Sequence, residues 1–118
     1  MTIEERASGS VTILDVRGRM TIEDLKDMLL ADRVRPLLQA GRKQILLNLQ
    51  GVPYVDTMGL CNVVEAYITT KRQGGSLKLL GLTPHVRELL MITRLLTVFE
   101  AYASEATAVA SFGPSAPA

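Results

Sequence analysis

Two residues with chemistry to offer stand side by side in this chain: Asp56, a carboxylate, and Thr57, a hydroxyl, inside Asn48-Leu49-Gln50-Gly51-Val52-Pro53-Tyr54-Val55-Asp56-Thr57-Met58-Gly59-Leu60. The hydroxyl sits where a helix is predicted to begin. First-turn N–H groups have no intrahelical partner, and the positive end of the helix dipole favours an added anion, so a phosphate on Thr57 would be well placed. As helix starters, Asp56 and Thr57 are both capable of capping, so each also reads as an ordinary turn or cap residue. A fixed negative charge at Asp56 opposes an incoming phosphate, so its chemistry is that of an orienting carboxylate rather than a phosphate anchor.

No other grouping in the sequence suggests catalysis. The chain has one cysteine, Cys61, and one histidine, His85, which excludes an internal disulfide and leaves no Cys/His cluster for a metal. No Gly-rich phosphate loop, nucleophile–base set or recognisable carboxylate pair is present, so the expectation is a non-enzyme without cofactor or metal. His85 reads as a solvated surface residue, and Cys61 as a small, half-buried helix residue.

The elements that must position Asp56 and Thr57 follow from the apolar pattern. Ile45 to Leu49 is a continuous apolar run, as in a strand covered on both faces. After the Gly51–Pro53 bend, Leu60, Val63, Val64, Tyr67 and Ile68 recur at i, i+3, i+4, i+7 and i+8, one face of an amphipathic helix. This helix is expected to run from Thr57 to about Gln73 and to stop at Gly74-Gly75. Gly59 either lets a partner's backbone approach the first turn or relieves internal packing. Exposed positions of the helix, including Asn62, Glu65 and Thr69, are candidates for a docking surface.

Elsewhere, Met1–Arg6 and Val11–Gly18 read as a hairpin about Ser8-Gly9-Ser10, with the first strand at a sheet edge. Met20 to Gln39 has helical periodicity with Thr21 as an N-cap and Leu25, Met28 and Leu29 inward, broken or kinked just before Pro36. Leu77–Gly81 is a strand, Thr83-Pro84 opens a helix with Val86, Leu89 and Leu90 inward, and Thr97–Ala101 is a last strand. Ser104-Glu105 caps a final helix with Ala108, Val109 and Phe112, and residues 113–118 form a disordered tail. Strands alternating with helices give an α/β fold, parallel where a helix intervenes.

Composition bounds the function. At 118 residues and 47% hydrophobic, the chain is predicted to form one domain, residues 1–112. Thirteen basic and twelve acidic side chains give a net charge of +1 and no dense basic run, arguing against nucleic acid or an anionic membrane surface as partner. No signal segment or run of eighteen apolar residues is seen, so a cytoplasmic protein without membrane insertion is expected.

Val55-Asp56-Thr57-Met58-Gly59-Leu60 resembles the Asp-Ser-Ser-Gly-Leu signature of STAS domains, the anti-sigma factor antagonists of bacterial partner switching. The likeness continues through Gly74–Pro84, Val86–Leu90 and Val98–Glu105. It implies a mixed β-sheet, an N-terminal hairpin followed by parallel strands, covered by about four helices. It also implies an antagonist that binds a serine/threonine kinase/anti-sigma factor and is switched off by phosphorylation at Thr57, so regulating sigma-factor-dependent transcription, with a phosphatase as a further partner. Asp56, Thr57, Met58, Gly59, Thr21 and Asn62 are the implied partner-binding residues, in a monomer or weak homodimer. Three departures stand out. Met58 replaces a small hydroxyl residue, Asn48 stands where many members have Asp, and Gly18-Arg19-Met20-Thr21 replaces a segment that is often acidic and contacts the kinase. The rival reading is a non-switching STAS subunit of a signalling scaffold or of a membrane transporter complex.

Overall fold

In a computed structural model of the chain, residues 2–23 and 29–112 are described. Five strands form one sheet in the order β1-β2-β3-β4-β5. β1 (Thr2–Ser8) and β2 (Val11–Arg17) are an antiparallel hairpin joined at Gly9-Ser10. β3 (Gln44–Gly51) pairs parallel with β2, β4 (Ser76–Leu80) with β3, and β5 (Ala101–Tyr102) with β4. The helices between parallel strands are α1 (Leu30–Gln39), α2 (Thr57–Arg72) and α3 (Pro84–Ile92), and α4 (Glu105–Ser111) follows β5. The mixed sheet, its hairpin and its helical cover are those anticipated from the sequence.

The two faces of the sheet carry different helices. Leu14 and Val16 of β2, Ile45, Leu47 and Leu49 of β3, and Leu77 and Leu79 of β4 share one core with Leu30, Val34 and Leu38 of α1, Leu60, Val63 and Ala66 of α2, and Val86 and Leu90 of α3. On the opposite face Val11, Ile13, Leu46 and Leu80 meet Ala108, with Tyr102, Val109 and Phe112 packed around them. The near-continuous apolar run of β3 follows directly, because odd and even positions are both covered. α2 ends as expected, with Gly74 at φ +78, a left-handed conformation that costs a Cβ-bearing residue more.

Three expectations need correction. Met20 to Glu23 is not helical: Met20, fully buried, pairs with Val55 as an isolated parallel bridge, so this backbone is committed to the loop beside β3. Thr21 is therefore no helix cap, Leu29 lies at the α1 N-cap position with 39% exposure rather than inward, and Leu25 and Met28 fall outside the described residues. Nor does α1 break at Pro36. Asp32 and Pro36 are both exposed, so the missing hydrogen bond falls on the solvent side while Val34, Leu37 and Leu38 hold the helix to the core. The last strand is shorter and later than Thr97–Ala101. Leu95–Thr97 forms a 3-10 turn, and Phe99 enters the core to meet Tyr67 edge-on at 5.0 Å, leaving only Ala101 and Tyr102 to pair. The predicted tail, 113–118, lies outside the described residues.

A polar network fastens β1 and α4 to the sheet. The Asp15 side chain, 9% exposed, accepts from Arg6 Nε at 2.5 Å, Arg6 NH2 at 3.1 Å and Asn48 Nδ2 at 2.7 Å. Arg6 reaches Glu105 as well, at 2.6 Å. The Arg6 guanidinium holds the Asp15 carboxyl below its ordinary range against the opposing effect of burial, with Asn48 assisting. A depressed carboxyl contributes stability above its unfolded-state pKa and loses it as pH falls through the folded one.

Two outcomes are expected. Leu47→Ala, removing a fully buried side chain from the core it shares with Val63, should cost about 2–5 kcal/mol in denaturant titration. Below about pH 4, wild-type stability should fall more steeply than that of Asp15→Asn, which has no carboxylate to protonate, as measured by urea midpoints across the acid range.

Candidate functional site

The loop after β3 is held on two sides. From one side, Gly18 N–H donates to the Gly51 carbonyl at 2.9 Å, Met20 N–H to the Tyr54 carbonyl at 3.0 Å, and Asp56 N–H to the Met20 carbonyl at 3.2 Å. From the other, Thr83 Oγ1 donates to the Val52 carbonyl at 2.8 Å, and His85 Nε2 lies 3.2 Å from the Val55 carbonyl. The His85 ring also stacks on Tyr54, centroids 4.6 Å apart and planes 16° apart. Val52 and Val55 are buried beneath. A five-residue connection with few internal hydrogen bonds thus gets its shape from two other segments.

Asp56 closes this arrangement. Its backbone is extended and its Oδ1 accepts from Gly59 N–H at 2.8 Å, which makes it the N-cap of α2. Oδ2 accepts from Ile22 N–H at 3.0 Å. One carboxylate therefore starts the helix and tethers the 18–23 segment to it. Of the two capping candidates, Asp56 performs the role; Thr57 is the first residue of the helix.

That frees the Thr57 hydroxyl. It is exposed and makes no hydrogen bond among the described residues, and neither the Thr57 N–H nor the Met58 N–H has a partner there. Two free donors at the head of α2, sixteen residues long, together with the helix dipole favour an anion there. Met58 beside it is 47% exposed. Thr21 is half-buried in the adjoining segment, next to Met20, whose carbonyl accepts from Asp56.

Of the implied site residues, Gly59 takes the packing alternative of its two readings and Asn62 lies elsewhere than expected. Gly59 is buried, and a Cβ there would come 1.9 Å from the Met20 carbonyl oxygen, so the backbone it admits is the chain's own. Asn62 is 3% exposed rather than on a docking face. Its Oδ1 accepts from Leu30 N–H at 2.9 Å, capping α1 from α2, since α1 has no side-chain cap of its own, and its Nδ2 has no hydrogen-bond partner among the described residues. Asn62 stands four residues before buried Ala66 and three after buried Gly59, a spacing that would have placed it inward. Glu65 is exposed and Thr69 half-buried, while Cys61, expected half-buried, is exposed.

Sequence reasoning missed Ile22, Tyr54 and His85 as parts of this site. No periodicity announces a backbone donor from a segment 34 residues away, or a ring stack between a loop and the first turn of α3. Among the described residues no group of acidic, Cys or His side chains could hold a metal, and no helix is long and apolar enough to cross a membrane.

Comparison with known proteins agrees with this architecture. The sequence matches the STAS domain family over residues 2–108. It is 31% identical over 77 residues to BtrV of Bordetella bronchiseptica, named as an anti-sigma factor antagonist; the match covers 65% of this chain and spans 66% of the relative's length. The fold is that of a crystal structure from Thermotoga maritima, titled as an anti-sigma factor antagonist (TM-score 0.77, 20% identity, 92% of each chain). It is also that of the Bacillus cell fate determinant SpoIIAA in its phosphorylated form (TM-score 0.70, 14% identity, 94% of this chain and 99% of the other).

Asp56→Ala should therefore loosen two places at once, speeding amide exchange at Gly59 and Ile22 and lowering stability by about 0.5–2 kcal/mol from the cap alone. Asp56→Asn, which retains a capping oxygen, should restore most of that stability but less of the Ile22 protection, read by NMR exchange.

Proposed function

Because the chain belongs to the STAS domain family, we propose that it is an anti-sigma factor antagonist, a binding protein that engages a serine/threonine kinase/anti-sigma factor and is switched off by phosphorylation of Thr57. The observation that carries this reading is the unpartnered, exposed Thr57 hydroxyl on the first turn of α2. The name of BtrV and the phosphorylated form of SpoIIAA support it by similarity.

The physical argument is about charge. Thr57 opens α2 directly after a loop fixed by hydrogen bonds from two segments, so a partner meets a preformed surface and loses little free energy in ordering it. Unphosphorylated, the head of α2 offers a neutral hydroxyl and the Met58 side chain. Phosphorylated, it gains about two negative charges next to Asp56, whose oxygens already serve Gly59 and Ile22. The free N–H groups of Thr57 and Met58 stabilise the phosphate within the protein, while the partner must desolvate or repel it. A loss of roughly 3 kcal/mol in the interface weakens binding about a hundredfold. The antagonist then leaves, its partner recaptures the sigma factor, and a phosphatase resets the cycle.

Thr57→Ala removes the acceptor without removing the cap, because Asp56 supplies it. The expected result is an unchanged fold by circular dichroism, undiminished kinase affinity and no incorporation of phosphate. Thr57→Glu should fold equally well and bind at least about tenfold more weakly. Calorimetric titration of both variants against the cognate kinase/anti-sigma factor is the measurement. Equal affinities would favour the non-switching scaffold or transporter subunit, whose permanent contacts are not set by that charge.

A further inference from the structure

The carboxyl ends of β3, β4 and β5 open into a cavity of about 380 Å³. Its place follows from the topology. α3, which follows β4, packs on one face of the sheet through Val86 and Leu90, whereas α4, which follows β5, packs on the other through Ala108. β4 and β5 are adjacent and parallel, so the chain leaves their two ends toward opposite faces and a crevice opens between them. In open α/β sheets such a divergence is where small ligands bind. The volume falls within the roughly 300–1,000 Å³ of small-molecule sites.

The wall has specific chemistry. Gly81 has φ +69, and a Cβ there would run into the Gln50 side chain, so this glycine lets Gln50 lie across the end of β4. Gly81 N–H donates to the Tyr102 carbonyl at 2.8 Å, which ties the ends of β4 and β5 together. Thr83 also lines the cavity, but its Oγ1 is committed to the Val52 carbonyl. The Arg87 guanidinium and the Gln50 carboxamide, in contrast, have no hydrogen-bond or ion-pair partner among the described residues. Arg87 is the one charged residue among the described residues of the lining, and Leu82, Ala101 and Ala103 supply apolar wall. We propose that this cavity binds a small organic anion, a carboxylate or phosphate head on a compact apolar body. The Arg87 fork matches the geometry of either head group, Gln50 adds an amide donor, and the apolar residues cover the body. This assignment does not depend on the reading of Thr57.

The experiment titrates the full chain separately with phenyl phosphate, benzoate and inorganic phosphate, following backbone and Gln50 side-chain amides by two-dimensional NMR. At least one of the two organic anions should shift Gly81, Ala103 and the Gln50 side-chain amide saturably, with half-saturation below about 1 mM. The tighter of the two identifies the head group. Arg87 is exposed, so Arg87→Gln should leave the spectrum folded and weaken binding by about tenfold or more. Failure of both organic anions to saturate at about ten times that concentration would overturn the proposal. So would affinity unchanged by Arg87→Gln. Inorganic phosphate binding as tightly as phenyl phosphate would show that the apolar wall contributes nothing, and would overturn the organic-anion assignment. Shifts centred on Thr57 and Met58 instead of Gly81 and Ala103 would place the anion at the head of α2 and empty the cavity of its proposed role.

Discussion

The Asp56 carboxylate accepts two backbone N–H groups from segments that are far apart in the chain, Gly59 at the head of α2 and Ile22 on the loop after β2. A charged acceptor makes these bonds stronger than neutral ones, and neither donor has an alternative in regular structure. Much follows from this single group. It begins α2 one residue before Thr57, fixes the direction of the helix dipole relative to the hydroxyl, and closes the bracket formed by Met20, Tyr54 and Val55. Gly59 is the counterpart, because only a residue without Cβ lets the Met20 carbonyl come close enough for that bracket to shut.

The position of Thr57 reflects a division of labour. Had the threonine been the cap, its oxygen would have been committed to the helix, and adding phosphate would have displaced a structural bond. With the aspartate as cap, the hydroxyl is left outside every structural interaction among the described residues. Modification there changes the charge of the surface without dismantling the helix. The same logic explains why Asn62 faces inward. It caps α1 across the α1–α2 contact, so the two helices that flank the site are joined by a hydrogen bond as well as by Leu60, Val63 and Val34.

At the far side of the sheet, Arg6, Asp15, Asn48 and Glu105 join three strands and α4 through one network. Asn48 replaces the Asp common in the family, and its amide can do what a carboxylate could not. It donates to Asp15 at 2.7 Å while its oxygen accepts from Gln50 N–H at 3.1 Å. A second carboxylate facing Asp15 would have been repelled, so here the departure from the family pattern has a local electrostatic reason.

What the sequence determined by itself was whatever depends on local periodicity and end signals. β3, α2, β4 and α3 were legible within a residue or two, because apolar spacing, Gly74-Gly75 and Thr83-Pro84 act over one or two turns. That Asp56-Thr57 lies where strand hands over to helix was legible too, from the apolar pattern on either side. The tertiary structure decided which of the two caps the helix, because that depended on Ile22 and Gly59 converging on the carboxylate. It withdrew Met20–Glu23 from the helical pattern through a bridge to Val55, and shortened β5 by drawing Phe99 against Tyr67. It also turned Asn62 inward and left Cys61 and Ile68 bare. Periodicity reports that a helix has an apolar side; it takes the neighbouring elements, supplied from elsewhere in the chain, to determine how much of that side is covered.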